Sequence, residues 1–191
     1  MIFRLFRRDP QGATIAALYG AIVAQGRNPV FYVDFAVPDT PEGRFELIVL
    51  HLAVVCRRLA RAEGSDRASS QALSQAVFDW FCRDMDHNLR EMGVSDLGVP
   101  KKMRKLGEAF YGRLDVYDRA LAAAGDTDLA TALARNVLGE GVPAAAARRL
   151  AAYVRAAAAR LDARPVTDLG RRAPDFPDPA LVAPPVCEVP T

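Results

Sequence analysis

The sequence predicts an all-α fold: a single compact helical domain of about six helices, followed by a Pro-rich C-terminal tail. Three observations carry this. Apolar residues recur at three- and four-residue spacing through several long segments, as one face of a helix requires. Gly and Pro fall between those segments, where helices stop and start. The one β-prone run, Val30-Phe31-Tyr32-Val33, has no partner strand, and a lone strand is unstable. The chain divides into a basic and apolar segment over 1–13, a helical domain over 14–161 and a tail over 162–191.

The first helix is expected from Thr14 to Gln25, ending at Gly26. Asn28-Pro29 then forces an extended loop over Val30–Val33, packed on the helices. A second helix starts at Thr40, a good N-cap, with Pro41 at the first helical position. It runs to Glu63 and stops at Gly64. Phe45, Ile48, Leu52, Val55 and Leu59 line one side and Leu47, Leu50 and Val54 another, so this helix belongs in the centre. The third helix, Ser70–Met92, buries Leu73, Val77, Trp80, Phe81, Met85, Leu89 and Met92. Asp79, Arg83, Asp86 and Arg90 face away, spaced for ion pairs along the helix. The fourth, Pro100–Ala124, carries a narrow core stripe of Met103, Leu106, Phe110, Leu114, Tyr117 and Leu121. The fifth follows Asp126 or Thr127 and stops at Gly139–Gly141. The sixth is rich in alanine and runs from Pro143 to Leu161. Seven of the 13 prolines fall from Pro165 onward, so the tail is expected to be disordered or draped over the surface.

Composition narrows the function. A hydrophobic fraction of 51% and a charged fraction of 25% suit a globular domain. A net charge of +2 is too small to argue for nucleic acid in bulk, so any basic footprint is local. The three cysteines, Cys56, Cys82 and Cys187, form neither a CxxC pair nor a disulfide framework. No apolar run reaches the length of a membrane span. Met1-Ile2-Phe3-Arg4-Leu5-Phe6-Arg7-Arg8 lacks the apolar stretch of a signal peptide, so a cytoplasmic location is expected. That segment reads either as a frayed terminus or as a peripheral contact with an anionic membrane surface.

Catalytic and metal-binding patterns are poorly represented. The two histidines are His51 and His87. His51 shares a stripe with Arg44 and Arg58, which oppose a divalent cation, and reads as a helix-surface histidine. In Asp84-Met85-Asp86-His87 the two carboxylates diverge on a helix. No phosphate-binding glycine loop, metalloprotease motif or nucleophile elbow occurs. No metal, no cofactor and no enzyme activity are expected. Asp84 and Asn88 interrupt the buried face of the third helix, and a buried carboxylate needs a partner. Arg113 is one candidate.

The fourth helix carries the most informative pattern. Lys101, Lys102, Arg104 and Lys105 crowd its first turns, where cations oppose the helix dipole. Their placement suggests a use outside the helix, beside the alternative of a solvated charged turn. Farther along, Tyr111 and Arg113 flank an outward Gly112, where alanine is more helix-stabilising by about 1 kcal/mol. Tyr and Arg are common interface anchors. Gly107 lies near the core side, where it permits a close helix approach.

Several segments together resemble the ubiquinol–cytochrome c chaperone family. They are Arg90-Glu91-Met92-Gly93-Val94-Ser95-Asp96, Val99-Pro100-Lys101-Lys102-Met103 and Glu108-Ala109-Phe110-Tyr111-Gly112-Arg113, with Tyr117 and Asp118. Asn28-Pro29-Val30-Phe31-Tyr32 and Val37-Pro38-Asp39-Thr40 are similar to that family's entry into its core. The match covers Leu18 to Leu121. The resemblance implies a bacterial, helical, non-catalytic factor that binds newly made cytochrome b and aids assembly of ubiquinol–cytochrome c reductase. Such a factor works in the cytoplasm or peripherally at the cytoplasmic face of the inner membrane. The expected partner-binding residues are Asp96, Lys101, Lys102, Lys105, Tyr111, Gly112 and Arg113. One competing reading is a ribosome- or RNA-binding helical module using the same lysines. Another is a small helical enzyme or ligand carrier using Asp84, His87 and Arg113.

Overall fold

The structure is a computed structural model in which residues 10–182 are described. Those residues form seven α-helices: α1 (Pro10–Gly26), α2 (Val30–Asp34), α3 (Pro41–Ala60), α4 (Arg67–Glu91), α5 (Val99–Ala122), α6 (Thr127–Leu133) and α7 (Ala144–Asp162). A π-helical turn, Ala134–Leu138, extends α6, and no strand occurs among the described residues. The residues before Pro10, which carry most of the expected 1–13 segment, lie outside them.

The central helix is α3, which packs on α1, α4, α5 and α7. Every residue from Leu47 to Arg57 is buried, as its apolar sequence requires. Its start is fixed by two local devices. Thr40 Oγ1 accepts a hydrogen bond from the Gly43 backbone at 3.1 Å, with Pro41 in the first turn. A Cβ on Gly43 would sit 2.0 Å from the Pro38 carbonyl oxygen, so the chain turns into α3 through a space that only glycine leaves open.

The Val30–Val33 run is not an extended loop but one turn of helix. Asn28 Oδ1 accepts from the Val30 N–H at 3.1 Å, and Pro29 already has helical dihedrals. The turn drives Phe31 into the core, edge-on to Tyr153 at 4.8 Å and beside Phe35 at 5.4 Å. Burial of these rings overrides the local β-propensity. Ala36, in the left-handed region at φ 57°, turns the chain out of α2.

His51 is likewise not a surface histidine. It is 1% exposed, whereas of its stripe-mates Arg44 is exposed and Arg58 is half-buried against the Leu161 and Arg164 carbonyls. Its Nδ1 lies 2.6 Å from the Leu47 carbonyl, which only accepts, so Nδ1 carries the proton. Its Nε2, 2.7 Å from Tyr153 Oη, then accepts from that hydroxyl. Tyr153 in turn accepts from Gln25 Nε2 at 2.9 Å. This chain of bonds ties α1, α3 and α7 together. Burial pushes the His51 pKa down to about 4.

The expected core is right in position and uneven in depth. Leu52, Phe81 and Phe110 are buried, whereas Phe45, Trp80 and Leu114 are half-buried. Met92, placed on the buried face, is 73% exposed because α4 ends one residue earlier. Asp84 finds a different partner from the one expected: Tyr19 donates to its Oδ2 at 2.7 Å, and Asn88 caps the Asp84 carbonyl at 2.8 Å. Gly107 permits no close approach, since a Cβ there meets open space. The close approach is at Gly26, whose Cβ would lie 3.1 Å from the Ile48 nitrogen where α1 crosses α3.

Of the two readings of the tail, the draped one fits the residues up to Val182, which pack against the domain. A 3₁₀ turn, Val166–Gly170, buries Val166 and Leu169, and a second, Pro179–Leu181, buries Pro179. Phe176 packs edge-on to His51 at 5.1 Å, and Gln25 donates to the Pro177 carbonyl at 3.1 Å. Asp175 pairs with Arg160 at 3.2 Å and Arg164 at 3.0 Å. An irregular segment has no period to betray it, yet its apolar side chains still bury, and its prolines limit the entropy lost.

Candidate partner-binding face

The turn from α4 into α5 is built before the basic cluster begins. Gly93, at φ +80°, ends α4: its N–H reaches the Arg90 carbonyl at 2.9 Å, and the Val94 N–H reaches Leu89 at 3.0 Å. These are the paired bonds of a Schellman cap. Asp96 is not a free orienting charge. It forms an ion pair with Arg90, which also holds Asp86 at 2.7 Å.

Lys101, Lys102 and Lys105 are exposed and make no ion pair among the described residues. Arg104 pairs with Glu108 at 3.2 Å, one turn on. By helical spacing, Lys101, Lys105 and Gly112 share the outward face of α5. Gly112 is exposed, and a Cβ there meets nothing within 4 Å. Tyr111 lies on one flank, 54% exposed, with its ring 5.4 Å from Phe78 and 5.5 Å from Phe110. Lys102 and Arg113 lie on the other flank, toward α3.

Arg113 is committed within the domain. Its Nη2 lies 2.6 Å from Glu46 Oε1 on α3, with side-chain exposures of 20% and 15%. Burial raises the Glu46 pKa, and the nearby guanidinium opposes that rise. Arg113 therefore links α5 to α3. The seven expected residues thus do not converge: three share one face, two are held in ion pairs, and two occupy opposite flanks.

The packing shows a feature that the sequence reading missed. A groove of about 530 Å³ opens between the end of α1, the start of α3, the second half of α4 and the start of α5. Its apolar lining includes Phe45, Ile48, Met85, Leu89 and Leu106, and Met92 stands at its edge. Its cations are Arg27, Arg44 and Lys102. Arg44 is held by Asp39 at 2.7 Å. The signal was present, since Phe45, Met85, Leu89 and Leu106 all sit on predicted core stripes. Only three-dimensional packing shows that those stripes emerge together into an open hollow.

The residues of the enzyme reading are held apart. Asp84 bonds Tyr19, exposed His87 meets Glu91 at 3.1 Å, and Arg113 meets Glu46. Among the described residues no group of three His, Cys, Asp or Glu side chains is placed to hold a metal ion, and no helix is long and apolar enough to cross a membrane.

Comparison with known proteins agrees with this architecture. The solved structures include the crystal structure of the Cbp3 homolog from Brucella abortus, which is 37% identical. The match covers 96% of this chain and 100% of that one, with a TM-score of 0.81. No curated protein matches the chain. Residues 33–176 match the family model described as ubiquinol-cytochrome C chaperone. The chain therefore belongs to the ubiquinol–cytochrome c chaperone family.

Proposed function

We propose that this chain binds newly made cytochrome b and holds it during assembly of ubiquinol–cytochrome c reductase. The observation that supports this most strongly is the open apolar groove, which ends beside the unpaired lysines of α5. An unassembled membrane protein presents apolar helices with charged flanks. Such a segment suits a groove with an aliphatic and aromatic floor and cations at its border. Lys101, Lys102 and Lys105 supply long-range attraction, and the groove supplies the desolvated contact. Gly112 leaves the outward face of α5 free for close approach, and Tyr111 adds an aromatic contact on its flank. Asp96 and Arg113 hold the scaffold that positions them.

The test is capture of cytochrome b from membranes by the tagged chain and by Leu89→Glu, Lys102→Glu and Gly112→Trp variants, each with a melting curve. Folded variants should recover much less cytochrome b. Wild-type recovery by folded variants rejects this face as the client site. Loss of ribosomes with cytochrome b retained favours the ribosome-binding reading.

A further inference from the structure

The tip between α4 and α5 holds two large apolar side chains in solvent: Leu97 is 94% exposed and Met92 is 73% exposed. Single exposed apolar residues are ordinary. This pair stands out because the backbone beneath it is fixed. The Schellman bonds close α4, and the Ser95 carbonyl accepts from Gly98 at 2.8 Å and Val99 at 3.1 Å. Asp96 is tied back to Arg90. The tip is therefore ordered while Leu97 stays in water.

Charge reinforces the pattern. Two of the acids around the tip are held by arginines, Asp96 by Arg90 and Glu108 by Arg104, while Glu91 meets the imidazole of His87 and Glu42 lines the groove beside Lys102. Lys101, Lys102 and Lys105, in the first two turns after the tip, make no ion pair among the described residues. An apolar projection backed by unneutralised lysines matches the cross-section of an anionic bilayer, with headgroup phosphate outside and hydrocarbon beneath.

We infer that the α4–α5 tip docks on an anionic lipid bilayer. Leu97 and Met92 enter the boundary between headgroups and acyl chains, and the three lysines meet lipid phosphates. RNA would engage the same lysines but leave Leu97 in water, so the lipid surface is the better fit. Met92 also borders the groove, so docking brings the groove's mouth to the membrane surface. That last consequence rests on the proposed function; the docking itself does not.

The experiment is co-sedimentation of the purified full chain with vesicles of phosphatidylcholine alone or mixed with phosphatidylglycerol. No client is present, so its failure is separate from a failure to bind cytochrome b. The chain should bind the mixed vesicles, release from them in high salt, and bind the neutral ones far less. Changing Lys101 and Lys105 to Gln should weaken binding about 25-fold, roughly fivefold per lysine. Changing Leu97 to Ser, which touches no packed residue, should weaken it about tenfold. Melting curves should be unchanged for both variants. Equal binding to both vesicle types, absence of binding, or wild-type binding by both folded variants overturns the inference. So does a loss seen with the lysine change alone, which would leave a purely electrostatic contact with no entry of Leu97 into the bilayer.

Discussion

Acid should weaken this fold through His51, by an amount the structure sets. The imidazole is fully buried, with both nitrogens committed as a donor to Leu47 and an acceptor from Tyr153. Protonating Nε2 removes that acceptor and places a charge among Phe31, Tyr153 and Phe176. Burial lowers its pKa from 6.5 to about 4. Below pH 6.5 the unfolded chain therefore binds a proton that the folded chain refuses. Stability falls as the pH drops from about 6.5 to about 4 and loses nothing further from this group below that. Over that interval the loss is about 3 kcal/mol, at roughly 1.4 kcal/mol per unit less the rounding at each end. Carboxylates also titrate there, so the comparison is with His51→Gln, which does not titrate at this site. Urea unfolding of both proteins from pH 7.5 to 4 isolates the effect. At pH 7.5 the wild type should be the more stable, and its advantage should shrink by about 3 kcal/mol by pH 4. Parallel stability curves would refute the assignment of a neutral, doubly bonded His51.

Four other outcomes follow from the packing. Gly43→Ala should cost more than about 1 kcal/mol in chemical denaturation, because the added methyl meets the Pro38 carbonyl. Gly112→Ala, in open space, should instead stabilise by up to about 1 kcal/mol. Ending the chain at Arg164 should lower stability by at least about 3 kcal/mol, since Val166, Leu169 and Pro179 lose their burial and Phe176 its packing; an unchanged melting temperature would show that the tail does not dock. Arg113→Met should cost about 3 kcal/mol by leaving Glu46 buried and unpaired, and adding Glu46→Leu should recover most of it in a double-mutant cycle.

The long helices were legible because their signals are local. Thr40-Pro41 marks the start of α3, Gly93 ends α4, and the apolar spacing of α3 foretells a helix buried on all sides. The misreadings share a different origin, in contacts between residues distant in sequence. Val30–Val33 reads as β-prone until Phe31 is seen against Tyr153. His51 reads as a surface group because its stripe-mates are arginines, yet Phe31, Tyr153 and Phe176 close around it. The tail has no period to read, although Phe176 reaches the same histidine. The geometry of the candidate face was legible in part. The exposed lysines and the open side of Gly112 follow from helical geometry. The capture of Arg113 by Glu46 and the groove beside Lys102 depend on how α3, α4 and α5 pack.

The central claim is that the groove holds cytochrome b, and site-specific photocrosslinking tests it most directly. A photoreactive residue at Leu106, in the groove lining, is compared with one at Arg148, exposed on α7. Both full-length proteins are irradiated in membranes that are synthesising cytochrome b. The expected result is a crosslink to cytochrome b from Leu106 and none from Arg148. Equal crosslinking from the two positions, or crosslinks from Leu106 to ribosomal proteins alone, would contradict it.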